Sequence, residues 1–454
     1  MRAKTETQNI NDFAKSVYIK TFGCQMNEHD TGKMLLVLEG IGYSYIDDME
    51  NADLVLFNTC SIREKAHHKA ISEIGRASQI KRKRPQMLLG ICGCVAQQEG
   101  KSLLRRYPEI NILFGPDQIA QLPNLITKAI AGNNACALDL VNDARSYRFI
   151  EDVPVQNATP SSTFVLAMKG CNCTCSYCIV PSVRGREISR PADDIVKEVS
   201  RLAEGGAKEI TLLGQNVSAY RDASGKRGAG LASLIRKISQ ETDIERIRFT
   251  SPHPQYISDD LIEEFAQNKK LCPHIHLPVQ AGSNEVLKRM RRGYTRELYI
   301  DKATRLRKAK QGMSITTDLI VGFCGETERD FDLTLDIMQS VGFDSAFAFM
   351  YSPRPGTEAA DKMVDDISAQ DKQQRLEKLL ALQRKMTRGR NEALVGSEGD
   401  VLTAGLDRMQ RGLLTGRRAD NRIVHFPGNS NMIGDIVRVR VTGAHDNSLS
   451  GEAI

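Results

Sequence analysis

The sequence predicts an α/β protein in three parts: a parallel α/β sheet domain, a partial (β/α)6 barrel and a small C-terminal β-barrel. Three observations predict it. Strand-like runs alternate with helical stretches from Ser16 to Ile130. A second series of the same kind starts at Thr163 and supplies six strands. From about Glu392 the helices stop and short β segments punctuated by glycines take over. The division is a polar tail at 1–15, a first domain at 16–132, a linker at 133–156, a central domain at 157–388 and a last domain at 390–454.

In the first domain the strands read as Val17–Phe22, Asp53–Phe57, Met87–Ile91 and Ile110–Phe114. Helical stretches follow at about Asp30–Leu38, Ile62–Lys81, Ala96–Arg106 and on to Ile130. This rhythm suits a parallel, Rossmann-like sheet. Cys24, Cys60 and Cys94 each fall just past one of the first three strands. Ligands of open parallel sheets gather at the carboxyl ends of the strands. Two readings stay open for these thiols: three ligands of an iron–sulfur cluster with one open iron, or three buried core cysteines. Cys92 lies two residues before Cys94, and strand alternation turns it away or leaves it in the turn.

Phe164–Met168 opens the central domain and delivers Cys171-Asn-Cys-Thr-Cys-Ser-Tyr-Cys178. A zinc knot would use four ligands, often as two separated CxxC pairs, and no second pair follows. The alternative is a C-x3-C-x2-C loop of Cys171, Cys175 and Cys178, with the aromatic Tyr177 before its last thiol and Cys173 left over. Three thiolates would hold three irons of a [4Fe–4S] cube and leave the fourth for a small chelating ligand. After a helix at Ala192–Glu204 come strands at Glu209–Leu213, Arg246–Phe249, His274–His276, Ser314–Asp318 and Ser345–Phe349. Chemistry in such barrels sits at the carboxyl ends of the strands. The polar residues there are Gln215, Asn216, Ser251, Gln280 and Asp318.

Residues 360–390 read as a charged helical stretch with a leucine stripe, and the final segment as a small β-barrel of a type often used on nucleic acid. Residues 391–454 hold seven arginines, no lysine and eight acids, so net charge does not favour RNA there. The clustering of Arg408, Arg411, Arg417, Arg418 and Arg422 does. The whole chain of 454 residues carries a net charge of +6, which permits a polyanionic partner. The basic run Lys288–Arg292 is a further candidate face. Eleven cysteines in a chain of this length, without an apolar leader or a membrane-length apolar stretch, point to reduced or metal-bound thiols in the cytoplasm.

Longer motifs then carry a resemblance over about residues 16–454. They are Thr-Phe-Gly-Cys-Gln-Met-Asn (21–27), Asn-Thr-Cys-Ser-Ile-Arg-Glu-Lys-Ala (58–66) and Gly-Cys-Val-Ala-Gln-Gln-Glu-Gly (93–100). Cys-Ser-Tyr-Cys-Ile-Val-Pro (175–181), Leu-Gly-Gln-Asn-Val (213–217) and Gly-Leu-Leu-Thr-Gly-Arg (412–417) complete the set. The chain resembles the methylthiotransferases of the radical S-adenosylmethionine superfamily, and within them the tRNA-2-methylthio-N6-dimethylallyladenosine synthases. Two positions depart from the family pattern: Cys324, where a proline is common, and Cys173, where a non-cysteine is usual.

The resemblance implies an N-terminal domain with an auxiliary [4Fe–4S] cluster on Cys24, Cys60 and Cys94. It implies a radical S-adenosylmethionine core with its own [4Fe–4S] cluster on Cys171, Cys175 and Cys178, and a C-terminal TRAM barrel that grips RNA. The implied reaction is methylthiolation at C2 of N6-isopentenyladenosine at position 37 of tRNA. One S-adenosylmethionine methylates a sulfur of the auxiliary cluster. Another yields the 5′-deoxyadenosyl radical that abstracts the C2 hydrogen, chemistry that belongs to cofactors rather than side chains. Tyr177, Gln215, Asn216, Ser251, Gln280 and Asp318 are expected on the S-adenosylmethionine side, and Arg184 or Arg186 on a carboxylate or phosphate. The expected partners are the tRNA anticodon stem-loop and an electron donor of flavodoxin or ferredoxin type, for a monomeric enzyme. Two rivals remain: the same chemistry on threonylcarbamoyladenosine tRNA or a ribosomal protein, and a non-enzymatic iron–sulfur protein that binds RNA.

Overall fold

The computed structural model describes residues 15–61, 64–150, 161–223, 229–407 and 412–454. The chain divides into two compact units: Met1–Val153 with Ser182–Arg184, and Pro154–Pro181 with Gly185–Ile454.

The first unit is built on six parallel strands: β1 (Lys15–Thr21), β2 (Tyr43–Tyr45), β3 (Leu54–Thr59), β4 (Leu88–Gly93), β5 (Ile112–Phe114) and β6 (Ala135–Ala137). Their order is β2-β1-β3-β4-β5-β6. Every residue of the central strands β3 and β4 is buried, as parallel strands covered on both faces must be. Alternate residues feed two cores. Leu54, Leu56, Ile112 and Phe114 pack with residues of the helices Gln25–Glu39 and Leu122–Ile130. Val55, Phe57, Leu89, Ile91 and Leu113 pack on the other side with Ala70, Ile74 and Ala77 of the helix Glu64–Lys83.

Sequence reading misses two edge strands here. Tyr43–Tyr45 and Ala135–Ala137 are three residues each, too short to show a period, and β6 takes Cys136 out of the expected linker. The first helix begins at Gln25 rather than Asp30. Its first turns bury Asn27, His29, Asp30 and Lys33, so no apolar stripe announces them. The helical stretch expected at Ala96–Arg106 is two short helices meeting at Gly100.

The second unit opens with β7 (Ser162–Leu166), β8 (Met168–Lys169), β9 (Ile188–Ser189), β10 (Glu209–Leu213) and β11 (Arg246–Phe249). It continues with β12 (His274–His276), β13 (Ser314–Val321) and β14 (Ser345–Met350). Two parallel sheets, β11-β10-β7 and β12-β13-β14, are joined through the bridge Ile247–Leu271. Six parallel strands therefore run in the order β7-β10-β11-β12-β13-β14, with β8 and β9 as a two-stranded antiparallel appendage. Helices cover the outer face. Val165, Ile210, Leu212, Ile247, Ile275, Ile315 and Leu319 of the strands join one large core with Ile195, Val199, Ile235, Phe265, Leu306 and Phe331 among its helical members.

The helix Ala369–Glu392 leads to a closed barrel of β15 (Glu398–Leu406), β16 (Leu413–Arg418), β17 (Ile423–Pro427), β18 (Ile436–Ala444) and β19 (Leu449–Ala453), in the order β15-β16-β17-β19-β18. Val401, Leu414, Val424, Phe426, Val439, Val441 and Leu449 fill it. Two arginines of β11 reach into it. Arg246 donates to the carbonyls of Asp400 and Arg417, and Arg248 to those of Arg418 and Ala419.

The expected arginine cluster of this barrel is corrected in part. Arg422 is bound to Asp344 at 2.6 Å and Asp420 at 2.9 Å, and Arg418 sits 3.6 Å from Asp420. These cations are spent on internal carboxylates, which leaves Arg417 exposed. Arg408 and Arg411 lie outside the described residues. Among the described residues no helix is long and apolar enough to cross a membrane.

Candidate functional site

Three of the five cysteines of the first unit, Cys24, Cys60 and Cys94, stand at the carboxyl ends of three neighbouring strands. Cys24 caps the helix that follows β1, Cys60 follows β3 directly, and Cys94 opens the helix after β4. Two glycines make this possible. Gly23 has φ 110°, and a Cβ there would meet the Cβ of Cys60 at 2.2 Å. Gly93 has φ 85°, and its Cβ would meet the carbonyl of Thr59 at 2.5 Å. Only glycine takes such conformations freely and lets the strand ends close up.

Side chains then tie the ends together. Asn27 donates to the carbonyls of Phe22 and Thr59 at 2.8 and 2.9 Å. Asn58 donates to the carbonyl of Asn27, and Thr59 to that of Cys92. The Cys60 side chain, hydrogen-bonded to Cys24, is the main cause that brings the Cys24 thiol down to about 6, against the opposing effect of burial, with Arg184 adding to it. Burial pushes the Cys94 thiol up, and Arg184 opposes it. Cys92 points into the core, its thiol toward the Met34 sulfur and the Phe57 carbonyl, as alternation predicts.

Arg184 has a different neighbourhood from the one expected. It belongs to the first unit, where it pairs with Asp30 at 2.7 Å, donates to Asn27 at 2.8 Å and bonds to Cys94. A guanidinium so committed has no fork left for a ligand carboxylate.

In the second unit the loop after β8 carries Cys171, Cys173, Cys175 and Cys178. Burial pushes the Cys178 thiol up to about 12, with Cys175 adding to it. Arg292 is 5 % exposed and donates toward Cys175 Sγ and the Tyr177 hydroxyl, each at 3.4 Å. Its other donors hold the Pro278 carbonyl and the Tyr294 hydroxyl. The basic run at Lys288–Arg292 is thus no continuous solvated face: its last member faces the cysteine loop. No periodicity in the sequence marks Arg292, because what selects it is a partner more than a hundred residues away.

The polar residues expected at the strand ends are placed as follows. Gln215 accepts from the amide of Gly170, and Asn216 donates to Cys173 Sγ at 3.5 Å and Glu187 at 3.4 Å. Both are turned to the cysteine loop. Ser251 and Gln280 have φ of 57° and 72°, a left-handed backbone rare for such residues and worth stored strain. Asp318 sits 3.3 Å from the His276 ring, which also meets Thr316 at 2.9 Å. Register places Asp318 beside Phe347, and Ile320 beside Phe349. Phe347, 53 % exposed, stands edge-on to His276, and Phe349 is 40 % exposed. The outward-facing Ile315, Leu319 and Val321 of the same sheet are fully buried. One face of β12-β13-β14 is therefore packed, and the other presents two open aromatic rings beside an Asp–His pair. The sequence reading places these phenylalanines in a strand and assigns them no role.

The family models match in the same three parts: the Uncharacterized protein family UPF0004 at residues 16–115, the Radical SAM superfamily at 165–338 and the TRAM domain at 392–454. The chain is 44% identical to the tRNA-2-methylthio-N(6)-dimethylallyladenosine synthase of Syntrophotalea carbinolica, over 97% of this chain and 100% of that protein. It is 46% identical to the protein of the same name from Geobacter metallireducens, over 96% and 98%. Among solved structures it is similar to the radical S-adenosylmethionine methyltransferase TsrM from Kitasatospora setae with cobalamin and a [4Fe-4S] cluster bound. There the TM-score is 0.56 at 16% identity, covering 89% of this chain and 81% of that one. That likeness speaks for the fold.

Proposed function

The chain belongs to the family of tRNA-2-methylthio-N(6)-dimethylallyladenosine synthases, and from that premise we propose that it places a methylthio group on C2 of N6-isopentenyladenosine at position 37 of tRNA. The observation that carries the reading is the pair of thiol triads. One stands on three adjacent strand ends of the sheet and the other on one loop, each supplying three thiols where a closed site would supply four.

The donor sets suit [4Fe–4S] clusters with an open iron. Each is made of thiols beside a buried guanidinium, Arg184 in one case and Arg292 in the other. Neither triad falls among the groups at single-ion spacing. Bound there, the clusters together with S-adenosylmethionine supply the electron, the radical and the transferable sulfur that no side chain can provide.

The chain's own residues bind, orient and exclude water. Cys171, Cys175 and Cys178 hold one cluster, and Cys24, Cys60 and Cys94 the other. Gln215 and Asn216 fix the cysteine loop through Gly170 and Glu187. Ser251 and Gln280 aim their backbones from strained positions, and together with Tyr177 and Asp318 they line the S-adenosylmethionine side. Phe347 and Phe349 offer a flat apolar wall to the isopentenyl adenine, which must leave the anticodon-loop stack to arrive. The small barrel contributes RNA affinity. The enzyme acts as a cytoplasmic monomer, reduced by a flavodoxin- or ferredoxin-type donor.

The test is nucleoside analysis of tRNA carrying N6-isopentenyladenosine after incubation with reconstituted protein, reductant and S-adenosylmethionine. The expected products are the 2-methylthio nucleoside and 5′-deoxyadenosine. 5′-Deoxyadenosine without the methylthio nucleoside would reduce the reading to radical cleavage. Modification of threonylcarbamoyladenosine tRNA instead would move the substrate, and neither product would leave an iron–sulfur protein that only binds RNA.

A further inference from the structure

Cys173 is outside the C-x3-C-x2-C series, yet it has the closest-set ligand geometry among the described residues. The Sγ atoms of Cys171 and Cys173 and a carboxylate oxygen of Glu187 all lie within 4.8 Å of one another. With Zn–S bonds of about 2.3 Å, ligands of one tetrahedral ion stand about 3.8 Å apart. Thiolates that each hold a different iron of a cube must stand farther apart. The spread of this trio, within 4.8 Å, is compact enough for a single ion.

Glu187 is held in place for it. The pairing of Lys169 with Ile188 in the β8–β9 ribbon sets its backbone. Its carboxylate accepts from the Asn172 amide at 3.1 Å, and its own amide donates to Asn172 Oδ1 at 3.2 Å. Asn216 Nδ2 lies within 3.5 Å of both the carboxylate and Cys173 Sγ, and the Tyr256 hydroxyl bonds to Cys173. Such outer hydrogen bonds are what orient ligands before a metal arrives.

We propose that Cys171, Cys173 and Glu187 form a binding site for one thiophilic divalent cation, represented by zinc, when the loop holds no iron–sulfur cluster. Binding joins the ion to two sulfurs and one oxygen, releases the two thiol protons and leaves a fourth position for water. Because Cys171 cannot serve two centres, the ion excludes the cluster from the loop. That second half rests on the function proposed above; the binding itself does not.

The test uses the full chain, freed of metal anaerobically and titrated with zinc against a colorimetric chelator. Zinc per chain is compared for the native protein and the variants Cys173→Ala, Glu187→Gln and Cys178→Ala. The native protein and Cys178→Ala are expected to hold one more zinc than Cys173→Ala. Glu187→Gln, which keeps both thiols and the side-chain shape, is expected to bind that ion at least tenfold more weakly. Equal zinc in native and Cys173→Ala proteins, or loss of the ion in Cys178→Ala, would overturn the proposal. If Cys173→Ala fails to fold, Glu187→Gln decides alone: unchanged affinity sinks the idea. Iron per chain after reconstitution with and without one equivalent of zinc reads the competition. Zinc should remove about four irons from the native protein and none from Cys173→Ala. If the zinc-free native protein never takes up cluster iron at the loop, the cluster reading fails while the zinc count still stands.

Discussion

The two thiol triads reach the same donor set by opposite routes. Cys171, Cys175 and Cys178 come from eight consecutive residues, so chain connectivity keeps them together. Cys24, Cys60 and Cys94 come from three strands, and only the register of β1, β3 and β4 brings them to one edge. Their electrostatics differ as well. In the sheet triad Cys24 is shifted toward its thiolate by Cys60 and Arg184. In the loop triad Cys178 is held as a thiol by burial. A site assembled by a sheet is sensitive to anything that moves a strand end, whereas a site on a loop answers to the loop's own contacts.

The strongest way to break the comparison is to delete one triad. Changing Cys171, Cys175 and Cys178 together to alanine should take reconstituted protein from about eight irons per chain to about four and abolish turnover, read by iron and sulfide analysis. Almost no iron in the variant would make Cys24, Cys60 and Cys94 structural thiols and remove the sulfur carrier.

Next comes the support of the sheet triad. Asn27→Ala frees the carbonyls of Phe22 and Thr59, at a cost of about 1–3 kcal/mol in denaturant unfolding. Iron at the sheet triad should fall while the loop triad keeps its own. Unfolding without change in iron would mean that the strand ends need no such tie.

Alkylation of metal-free protein sharpens the electrostatic contrast. Cys24 lies at about 6, below its ordinary value, so its reactive anion is present above that pH and is lost as the pH falls through it. Cys178, at about 12, stays protonated throughout the neutral range. Peptide mapping after limited iodoacetamide treatment at pH 7.5 should find Cys24 labelled well before Cys178, and Arg184→Gln should move the Cys24 midpoint upward. Equal labelling of the two would cancel the contrast.

The smallest effect concerns a region outside both triads. Phe347→Leu keeps the apolar bulk but loses the flat ring, an effect of about 1 kcal/mol. KM for isopentenyl tRNA should rise about fivefold with iron content untouched; no change in KM would take the ring out of substrate binding.

Much of this was legible in the sequence where the signal is local. The helix Ala192–Glu204 and the strands β10, β11 and β12 match their expected bounds, since their apolar spacing is regular. The strand ends carrying Cys24, Cys60 and Cys94 were also legible, because each strand has an apolar stretch and a helix follows each of them in turn. What was hidden depends on distant partners. Arg292 reads as one more basic residue until Cys175 and Pro278 surround it. Arg184 stands in the cysteine-loop segment of the sequence yet answers to Asp30. Glu187 carries no pattern of its own, and the buried polar turns of the first helix look like surface.

The grip of Arg246 and Arg248 on the C-terminal barrel has a consequence for modularity. In sequence the last 60-odd residues look like a detachable bead. In the fold, four backbone carbonyls of that bead satisfy two arginines that are only 6 % exposed. Cutting the chain near residue 391 would remove those four carbonyls and leave Arg246 and Arg248 with Glu209, at 4.0 and 2.8 Å, as their remaining partner, so the cut disturbs the larger domain as well as removing the barrel. A truncated protein that lost tRNA would therefore say little about where the RNA binds. The barrel is better treated as a keystone, to be probed by changing its exposed face while leaving it seated.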